Sequence, residues 1–355
     1  MHKENQLILP SINQSLVSLA FGNNKNTAPK NGVVLAGDVG GTKTNLALIQ
    51  IEEGRFKTLS EQTFSTQKHN SFFDMVHEFQ GKDLPAINRV CLGVAGPVIE
   101  GKVQGTNIPW KIDADQIAAN LHIESVSIMN DMEANAYGLA ALKPADFEML
   151  KEGTPVPGNA VIISPGTGLG EAGLYWDGSH YHPFASEGGH CDFSPRNDLE
   201  AAMWEYLHHR YKHVSWERVL SGPGIYDIYQ FLIEYRKQPE PEGIRKLMTE
   251  KNPTAVISQY AIEGKSTICR ETLDLFTRFL GIEAAQLALK MKSTGGVYIG
   301  GGIVPKIIKS IDKEVFKRGF VQSGRLDALL ELMPVKVVLN DKTALFGAAY
   351  YGAMM

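Results

Sequence analysis

Glycines, threonines, a lysine and an aspartate lie together between Asp38 and Thr44, in the order Asp-Val-Gly-Gly-Thr-Lys-Thr. Backbone N–H groups at glycines can approach an anion closely, and a neighbouring lysine adds a positive charge. The stretch therefore suits a phosphate. Residues 37–44 also match the P-loop pattern G-x-x-x-x-G-K-[ST], except that Thr42 replaces the second glycine. A P-loop begins a helix, whereas the apolar residues 45–49 are typical of a strand.

This first glycine-rich stretch is predicted to form the polar tip of a β-hairpin, because apolar runs precede and follow it. An ordinary Gly-Gly hairpin turn is the alternative that the segment alone leaves open. A second turn of the same kind, Gly166-Thr167-Gly168, also separates two apolar runs. Two such hairpins in separate halves of the chain indicate an internal duplication with both tips at one nucleotide.

Asn130 and Asp131 follow the apolar strand predicted at 126–129 and precede a predicted helix at 132–142. Aspartate is a favoured helix N-cap, and capping is one interpretation of Asp131. Ligands of open α/β sheets gather at the carboxyl ends of strands. We therefore also predict that Asp131 and the Asp38 stretch share a cleft.

Two further polar clusters are rich in glycine. Gly300, Gly301 and Gly302 directly follow an apolar strand predicted at 295–299. Three missing side chains after such a strand indicate a close approach of the backbone to a flat or bulky group. Residues 187–190 read Glu-Gly-Gly-His, and 217–224 are predicted as a helix end and turn. The histidines at 180–182 and 209–213 are interpreted as solvated or packed rather than as zinc ligands.

The elements that must hold these residues alternate between strands and helices, which indicates an α/β protein. Asn107 is predicted on a loop, 103–110, and residues 239–253 are predicted as an exposed connection. The remaining periodicity predicts strands at 56–64, 90–95 and 335–339 and helices at 72–79, 113–121, 204–211, 267–292 and 343–354.

The bulk composition narrows the class of protein. At 355 residues the chain exceeds the usual size of one hydrophobic core, so we expect two domains. A net charge of -4 without a basic stripe argues against a nucleic-acid partner. No apolar run approaches the ~18 residues of a membrane span. Cys91, Cys191 and Cys269 are too scattered for a disulfide framework, which fits a reducing cytoplasm. The polar first 30 residues are predicted as an extension, with 16–21 as a candidate docking segment.

Together these motifs resemble bacterial glucokinases of the hexokinase-like, actin-type ATPase superfamily, from about Val33 to Gly352. The resemblance is to the branch without the zinc motif of the repressor, open-reading-frame and kinase group, since only Cys191 follows His190 here. It implies an α/β, two-domain, actin-like ATPase (ribonuclease H-like) fold with an interdomain cleft. The expected domains are an extension at 1–30, a small domain at 31–130 plus 342–355, and a large domain at 131–341. Helices 132–142 and 343–354 resemble the connecting helices of the interdomain hinge.

The resemblance also implies residue roles. Asp131 matches the catalytic aspartate, and Asp38 the residue that binds the metal. Lys43 departs from an asparagine expected in some relatives. The residues implied for the sugar are Asn107, Asn130, Asp131, Glu187, His190 and Glu217. Those implied for the nucleotide are Asp38, Gly40, Gly41, Thr42 and Lys43 in the first loop, Gly166, Thr167 and Gly168 in the second, and Gly300, Gly301 and Gly302.

The implied function is ATP-dependent phosphorylation of glucose to glucose 6-phosphate, the first step of glycolysis, with Mg²⁺ and ATP as cofactors. The implied location is cytoplasmic, without nucleic acid or membrane partners, and a homodimer is an allowed assembly. A kinase for another hexose is one alternative. A sugar-sensing regulator is another, but it needs a DNA-binding helix pair, which 30 residues without basic helical patterning do not provide. An actin-like or chaperone ATPase is a third alternative, but it would not explain the presence of Glu187, His190 and Glu217.

Overall fold

The computed structural model describes residues 15–21, 29–80, 85–104, 107–237 and 242–355. The strands in these residues are β1 Gly32–Val39, β2 Lys43–Glu52, β3 Arg55–Ser65, β4 Arg89–Val94, β5 Lys102–Val103, β6 Ile112–Asp113, β7 Ser125–Asn130, β8 Phe147–Lys151, β9 Ala160–Pro165, β10 Leu169–Trp176, β11 Tyr181–Ser186, β12 Gly296–Ile299 and β13 Val335–Val338. The helices are α1 Phe72–Gln80, α2 Ala114–Leu121, α3 Asp131–Gly138, α4 Asp198–Tyr211, α5 Gly222–Arg236, α6 Glu242–Glu250, α7 Pro253–Ile262, α8 Thr267–Met291, α9 Val304–Ile307, α10 Lys313–Val321, α11 Asp327–Leu332 and α12 Thr343–Met354.

The chain divides into two compact units. The first contains Met1–Phe147, Leu174–Ala185 and Asn340–Met355, and the second contains Glu148–Gly173 and Ser186–Leu339. The expected domain boundaries assign residues 131–147 to the large domain, whereas the first compact unit includes them. The physical reason is that α3 packs on α12 and on β4, which both belong to the first unit.

A five-stranded sheet with the order β3-β2-β1-β4-β7 forms the centre of the first unit. The predicted hairpin is present, since β1 and β2 pair antiparallel and Asp38 lies opposite Asn45. The strands β1, β4 and β7 run parallel, and Val39, Val94 and Asn130 lie side by side. The carboxyl ends of these three strands therefore meet at one edge of the sheet.

Close contact between α3 and α12 depends on two glycines. A Cβ atom at Gly138 would collide with the carbonyl oxygen of Thr343, and one at Gly347 with that of Ala134. The backbones of the two helices can approach this closely only because neither position carries a side chain. Both predicted helices are confirmed, although α3 ends at Gly138 and a 3₁₀ turn continues the chain to Ala141.

The described N-terminal segment belongs to the core of the first unit. Val17, Leu19 and Phe21 are buried, and the ring of Phe21 stacks on Tyr137 at a centroid distance of 5.4 Å. The amide of Ala20 donates to the carbonyl of Tyr181 at 2.9 Å. The prediction that 16–21 docks on the body is confirmed. Within the predicted extension 1–30, Val17, Leu19 and Phe21 are therefore core residues of the first unit.

The second unit is built on a six-stranded sheet with the order β11-β10-β9-β12-β13-β8. The strands β9, β12 and β13 run parallel. The first five strands repeat the order of the other sheet, as the predicted internal duplication requires. The long helix α8 is buried along most of its length, and α5, α7 and α10 pack against it.

Two sequence interpretations in the second unit are wrong. The stretch 239–253 includes α6, whose Ile244 is buried, because apolar residues at helical spacing outweigh the flanking prolines. The stretch 217–224 is a helix beginning rather than a helix end. A 3₁₀ turn at Trp216–Arg218 leads to α5, and Ser221 caps that helix by accepting from the amide of Gly224 at 3.1 Å. Among the described residues, no helix is both long and apolar enough to span a membrane.

Candidate active site

The first glycine-rich loop connects β1 to β2, and its ends are closely tied together. The amide of Gly40 donates to the carbonyl of Lys43 at 3.0 Å, and the hydroxyl of Thr66 donates to the carbonyl of Gly40 at 2.7 Å. The side chains of Thr42 and Lys43 are exposed beside the half-buried Gly40 and Gly41. This loop is rigid at its base and open at its tip, as an anion-binding turn requires.

Asp38 is held at the end of β1 by its cross-strand neighbour. Asn45 Nδ2 donates to Asp38 Oδ2 at 3.0 Å, and the hydroxyl of Thr63 donates to Asn45 Oδ1 at 2.8 Å. Desolvation raises the pKa of the Asp38 carboxyl, while the Asn45 hydrogen bond and the charge of Lys43 oppose that rise. A desolvated, oriented carboxylate of this kind favours a cation as its neighbour.

Asn107 packs directly against the first loop. A Cβ atom at Gly41 would collide with Cβ of Asn107, so the two backbones touch. Gln67 Nε2 donates to the carbonyl of Gly41 at 2.7 Å and to that of Asn107 at 2.9 Å. One amide group thus joins the predicted phosphate loop to a predicted sugar ligand.

Asn130, rather than Asp131, is the N-cap of α3. Its Oδ1 accepts from the amide of Met132 at 2.9 Å, and its Nδ2 donates to the carbonyl of Gly96 at 3.1 Å. Asp131 is the first helical residue, half-buried, and its Oδ1 accepts from the same amide at 3.0 Å. The interpretation of Asp131 as the cap is wrong, because Asn130 has the extended backbone that an N-cap needs.

Asp38 and Asp131 lie at the same edge of the first sheet. Asp38 is the second-last residue of β1, Asp131 directly follows β7, and β4 alone separates β1 from β7. At a strand spacing of ~4.8 Å, the two positions are about 10 Å apart across the sheet. The predicted common edge for these carboxylates is therefore present within the first unit.

The nucleotide-binding glycines predicted in the second half of the chain lie close together in the second unit. The amide of Gly300 donates to the carbonyl of Ile163 at 2.8 Å, and Gly301, with a φ of +80°, lies against the carbonyl of Pro165. The amide of Gly222 donates to the carbonyl of Gly166 at 2.8 Å. The turn Gly166–Gly168, with Thr167 exposed, thus lies beside Gly300–Gly302 and the start of α5.

Glu187, His190 and Glu217 form a second cluster in the same unit. His190 Nδ1 lies 3.8 Å from Glu187 Oε2, and His190 Nε2 lies 4.0 Å from Glu217 Oε1. Glu217 Oε2 accepts from the amide of Leu169 at 3.1 Å and covers Gly168. Glu217 therefore touches both the second glycine turn and the histidine of the Glu-Gly-Gly-His turn, and the three side chains present hydrogen-bonding groups suited to hydroxyls.

Comparisons with known proteins identify the family. The family model described as Glucokinase matches residues 35–355. A glucokinase from Synechocystis is 38% identical over 90% of this chain and 97% of its own length, and one from Nostoc punctiforme is 36% identical over 91% and 99%. The chain belongs to the glucokinase family. The crystal structure of a glucokinase from an Antarctic psychrotroph matches with a TM-score of 0.76 and 30% identity, over 90% of this chain and 98% of that one.

Family membership confirms the predicted actin-like ATPase fold and makes the chain a kinase that acts on glucose. Sequence reasoning missed several residues that position the candidate site of this glucokinase family member. Asn45, Thr63 and Thr66 hold Asp38 and the first loop, and Gln67 joins that loop to Asn107. Their available signal was the set of polar residues at the start of β2, where an apolar run is expected, and at and just after the end of β3.

The donor set for a metal is small. Within residues 15–21, 29–80, 85–104, 107–237 and 242–355, no group of three or more His, Cys, Asp or Glu is close enough to hold a metal ion. Mg²⁺ usually binds through one or two carboxylates together with substrate phosphates. Asp38 fits that pattern, because its desolvated carboxyl lies one residue before the end of β1, next to the predicted phosphate loop.

Proposed function

We propose that this kinase transfers the terminal phosphoryl group of ATP to the 6-hydroxyl of glucose. One observation carries the proposal: within the first unit, the Asp131 carboxyl lies at the same sheet edge as the Asp38 carboxyl and its glycine-rich loop. A carboxylate for the hydroxyl proton and a loop for phosphates are the two parts that phosphoryl transfer needs most. The choice of glucose as the hexose rests on membership of the glucokinase family.

Asp131 accepts the proton as the glucose 6-oxygen attacks the terminal phosphorus. The new P–O bond forms while the bond to the bridging oxygen of ATP breaks, and ADP leaves with that electron pair. General-base assistance of this kind contributes ~10²–10⁴ in rate. The backbone N–H groups of Gly41 and Thr42 and the ammonium of Lys43 bind phosphate oxygens, while Gly40, whose amide donates to the Lys43 carbonyl, shapes the loop.

Asp38 holds Mg²⁺ in this proposal. The ion, when bound, neutralises charge on the phosphates during transfer. Asn45 keeps the Asp38 carboxylate oriented for this purpose, because it donates to one of the two oxygens and leaves the other oxygen for the metal or its water.

The proposed sugar ligands are Glu187, His190 and Glu217, together with Asn107 and Asn130. Charged and amide groups reject a sugar that lacks the matching hydroxyl, because the unpaired group then loses its hydrogen bond. The nucleotide contacts of the second unit are Gly166, Thr167, Gly168, Gly300, Gly301 and Gly302. A cytoplasmic location and a homodimer stay predictions.

A coupled assay for ADP formation across glucose, mannose and fructose tests the proposal. We expect kcat/KM for glucose to exceed that for the other hexoses by about tenfold or more, a difference of ~1.4 kcal/mol. A higher value for mannose or fructose would reassign the substrate. Glucose binding by calorimetry without ADP formation would favour the sugar-sensing regulator instead.

A further inference from the structure

Two buried acidic residues face each other in the second unit, and neither has been given a role above. Glu171 on β10 is 1% exposed and Glu283 on α8 is 0% exposed, and each carboxyl influences the pKa of the other. Among the described residues, Glu171 Oε1 and both carboxyl oxygens of Glu283 have no hydrogen-bond partner. Burial of a carboxyl destabilises the fold unless the group is hydrogen-bonded or paired.

The charges around the pair are few. Lys290 on α8 faces both carboxyls, and Arg196, which precedes α4, faces Glu283. Arg196 also faces Glu200 and Arg278, which form an ion pair of 2.9 Å with each other. Desolvation raises the pKa of Glu171 to about 7 and that of Glu283 to about 9. At neutral pH the pair therefore retains a proton, which lets one carboxyl donate to the other.

Glu171 supports the Glu-Gly-Gly-His turn from behind. A Cβ atom at Gly188 would collide with Glu171 Oε2, so the carboxyl rests against the backbone of the turn. Ser186 Oγ donates to the Glu171 carbonyl at 3.1 Å and accepts from the amide of Gly188 at 3.3 Å. Gly189 lies equally close to the carbonyl of Leu169 on the same strand.

The position of Gly188 determines where the two side chains of the turn lie. Glu187 immediately precedes it, and the amide of His190 donates to the carbonyl of Glu187 at 3.0 Å to close the 3₁₀ turn. The turn is also tied to the neighbouring segment, since the amide of Trp216 donates to the carbonyl of Cys191 at 2.9 Å. A displacement at Gly188 is thus passed to Glu187 and His190 directly.

We propose that Glu171, held in place by Glu283, is a positioning residue that sets the sugar-binding geometry of the turn Glu187–His190. The inference rests on the proposed assignment of Glu187 and His190 to the sugar. With a shared proton, the pair holds the Glu171 carboxyl against Gly188. When both carboxyls are ionised they repel each other, and the Glu171 carboxyl is displaced where it contacts Gly188. Glucose affinity therefore falls at alkaline pH.

The test is steady-state kinetics with saturating ATP from about pH 6.5 to pH 9.5 on the wild type, Glu171→Gln and Glu283→Gln, with the exposed Glu205→Gln as a matched control. We expect the KM for glucose of the wild type and of the control to rise about fivefold toward the alkaline end of this range. The reason is that the pair then loses the proton that it retains at neutral pH. A glutamine at either buried position can hydrogen-bond to the remaining carboxyl, and it carries no negative charge of its own. Both of these variants should therefore have a near wild-type KM at about pH 7.5 and lack the alkaline rise.

Glu171→Ala adds a second measurement, because it removes the group that rests on Gly188. We expect its KM for glucose at about pH 7.5 to rise about tenfold, with kcat and the KM for ATP changed less than about threefold. A pH profile of Glu171→Gln and Glu283→Gln that coincides with the wild type would overturn the proposal. So would a wild-type KM for glucose in folded Glu171→Ala. Failure of the wild type to phosphorylate glucose would instead overturn the proposed function.

Discussion

Asp131 is the residue on which the proposed chemistry depends, and the structure separates its role from helix capping. Asn130 caps α3, so replacing the Asp131 carboxylate leaves the cap in place. Asp131→Asn keeps the shape of the side chain and removes the proton acceptor. We expect kcat to fall by ~10²–10⁴, while the glucose dissociation constant stays within about threefold.

Thermal unfolding provides the comparison for that prediction. Asn130→Ala removes the cap and should lower the free energy of unfolding by about 0.5–2 kcal/mol, whereas Asp131→Asn should leave the melting temperature within about 2 °C of the wild type. Turnover of Asp131→Asn within a few-fold of the wild type would remove Asp131 as the base.

Asn45 partly offsets the effect of desolvation on the pKa of the Asp38 carboxyl. Its hydrogen bond favours the charged carboxylate, so Asn45→Ala should raise the pKa of Asp38 further above its ordinary value. A hydrogen bond to a charged group is worth ~1.5–3 kcal/mol, and 1.36 kcal/mol corresponds to one pKa unit. We therefore expect the acid limb of kcat/KM for MgATP to move upward by about one pH unit. Thr63→Val removes only the hydrogen bond from the Thr63 hydroxyl to Asn45, so it should shift the acid limb less. An acid limb of Asn45→Ala that coincides with the wild type would contradict this role of Asn45.

At the scale of elements, the contact between α3 and α12 requires glycine. A methyl group at Gly347 meets the backbone of Ala134, which cannot rotate away as a side chain can. Overpacking of this kind costs about 1–3 kcal/mol, so Gly347→Ala should lower the melting temperature and the urea midpoint. Gly243→Ala is the matched control, since Gly243 is exposed in α6 with open space around its Cα. That variant should stabilise by up to about 1 kcal/mol, and equal melting temperatures for the two variants would refute the packing argument.

The elements also show which information is local in the sequence. Both glycine-rich hairpins, the strand before Gly300 and the junction at Asn130 were predicted, because strand periodicity and turn glycines are short-range signals. The helix α6 was missed because prolines flank a short amphipathic segment. Gln67 and Glu171 were missed because their importance lies in contacts with Asn107 and with Gly188, which are remote in sequence and leave no local pattern.

At the scale of the whole molecule, the described N-terminal segment is part of the first unit. Phe21 is 5% exposed and packs on Tyr137 and Tyr350, whereas Leu16 is 57% exposed. Removal of a buried phenylalanine ring typically costs about 3–5 kcal/mol. Phe21→Ala should therefore lower the melting temperature by several degrees, and Leu16→Ala should not. Identical denaturation curves for the two variants would show that the segment contributes nothing to stability.

The buried carboxyl pair gives the stability of the whole chain a pH dependence of known sign. The folded-state pKa values of Glu171 and Glu283, about 7 and about 9, lie above the ordinary glutamate value. The native state therefore binds protons that the unfolded state has released. The free energy of unfolding falls as the pH rises from the ordinary glutamate pKa toward these raised values. The slope is at most about 1.4 kcal/mol per pH unit for each proton. Glu283→Gln, which removes the group with the higher pKa, should become more stable relative to the wild type between about pH 7 and about pH 9 in urea titrations. The exposed Glu205→Gln should show no such gain, and a constant difference between wild type and Glu283→Gln across this range would mean that the pair holds no proton in the native state.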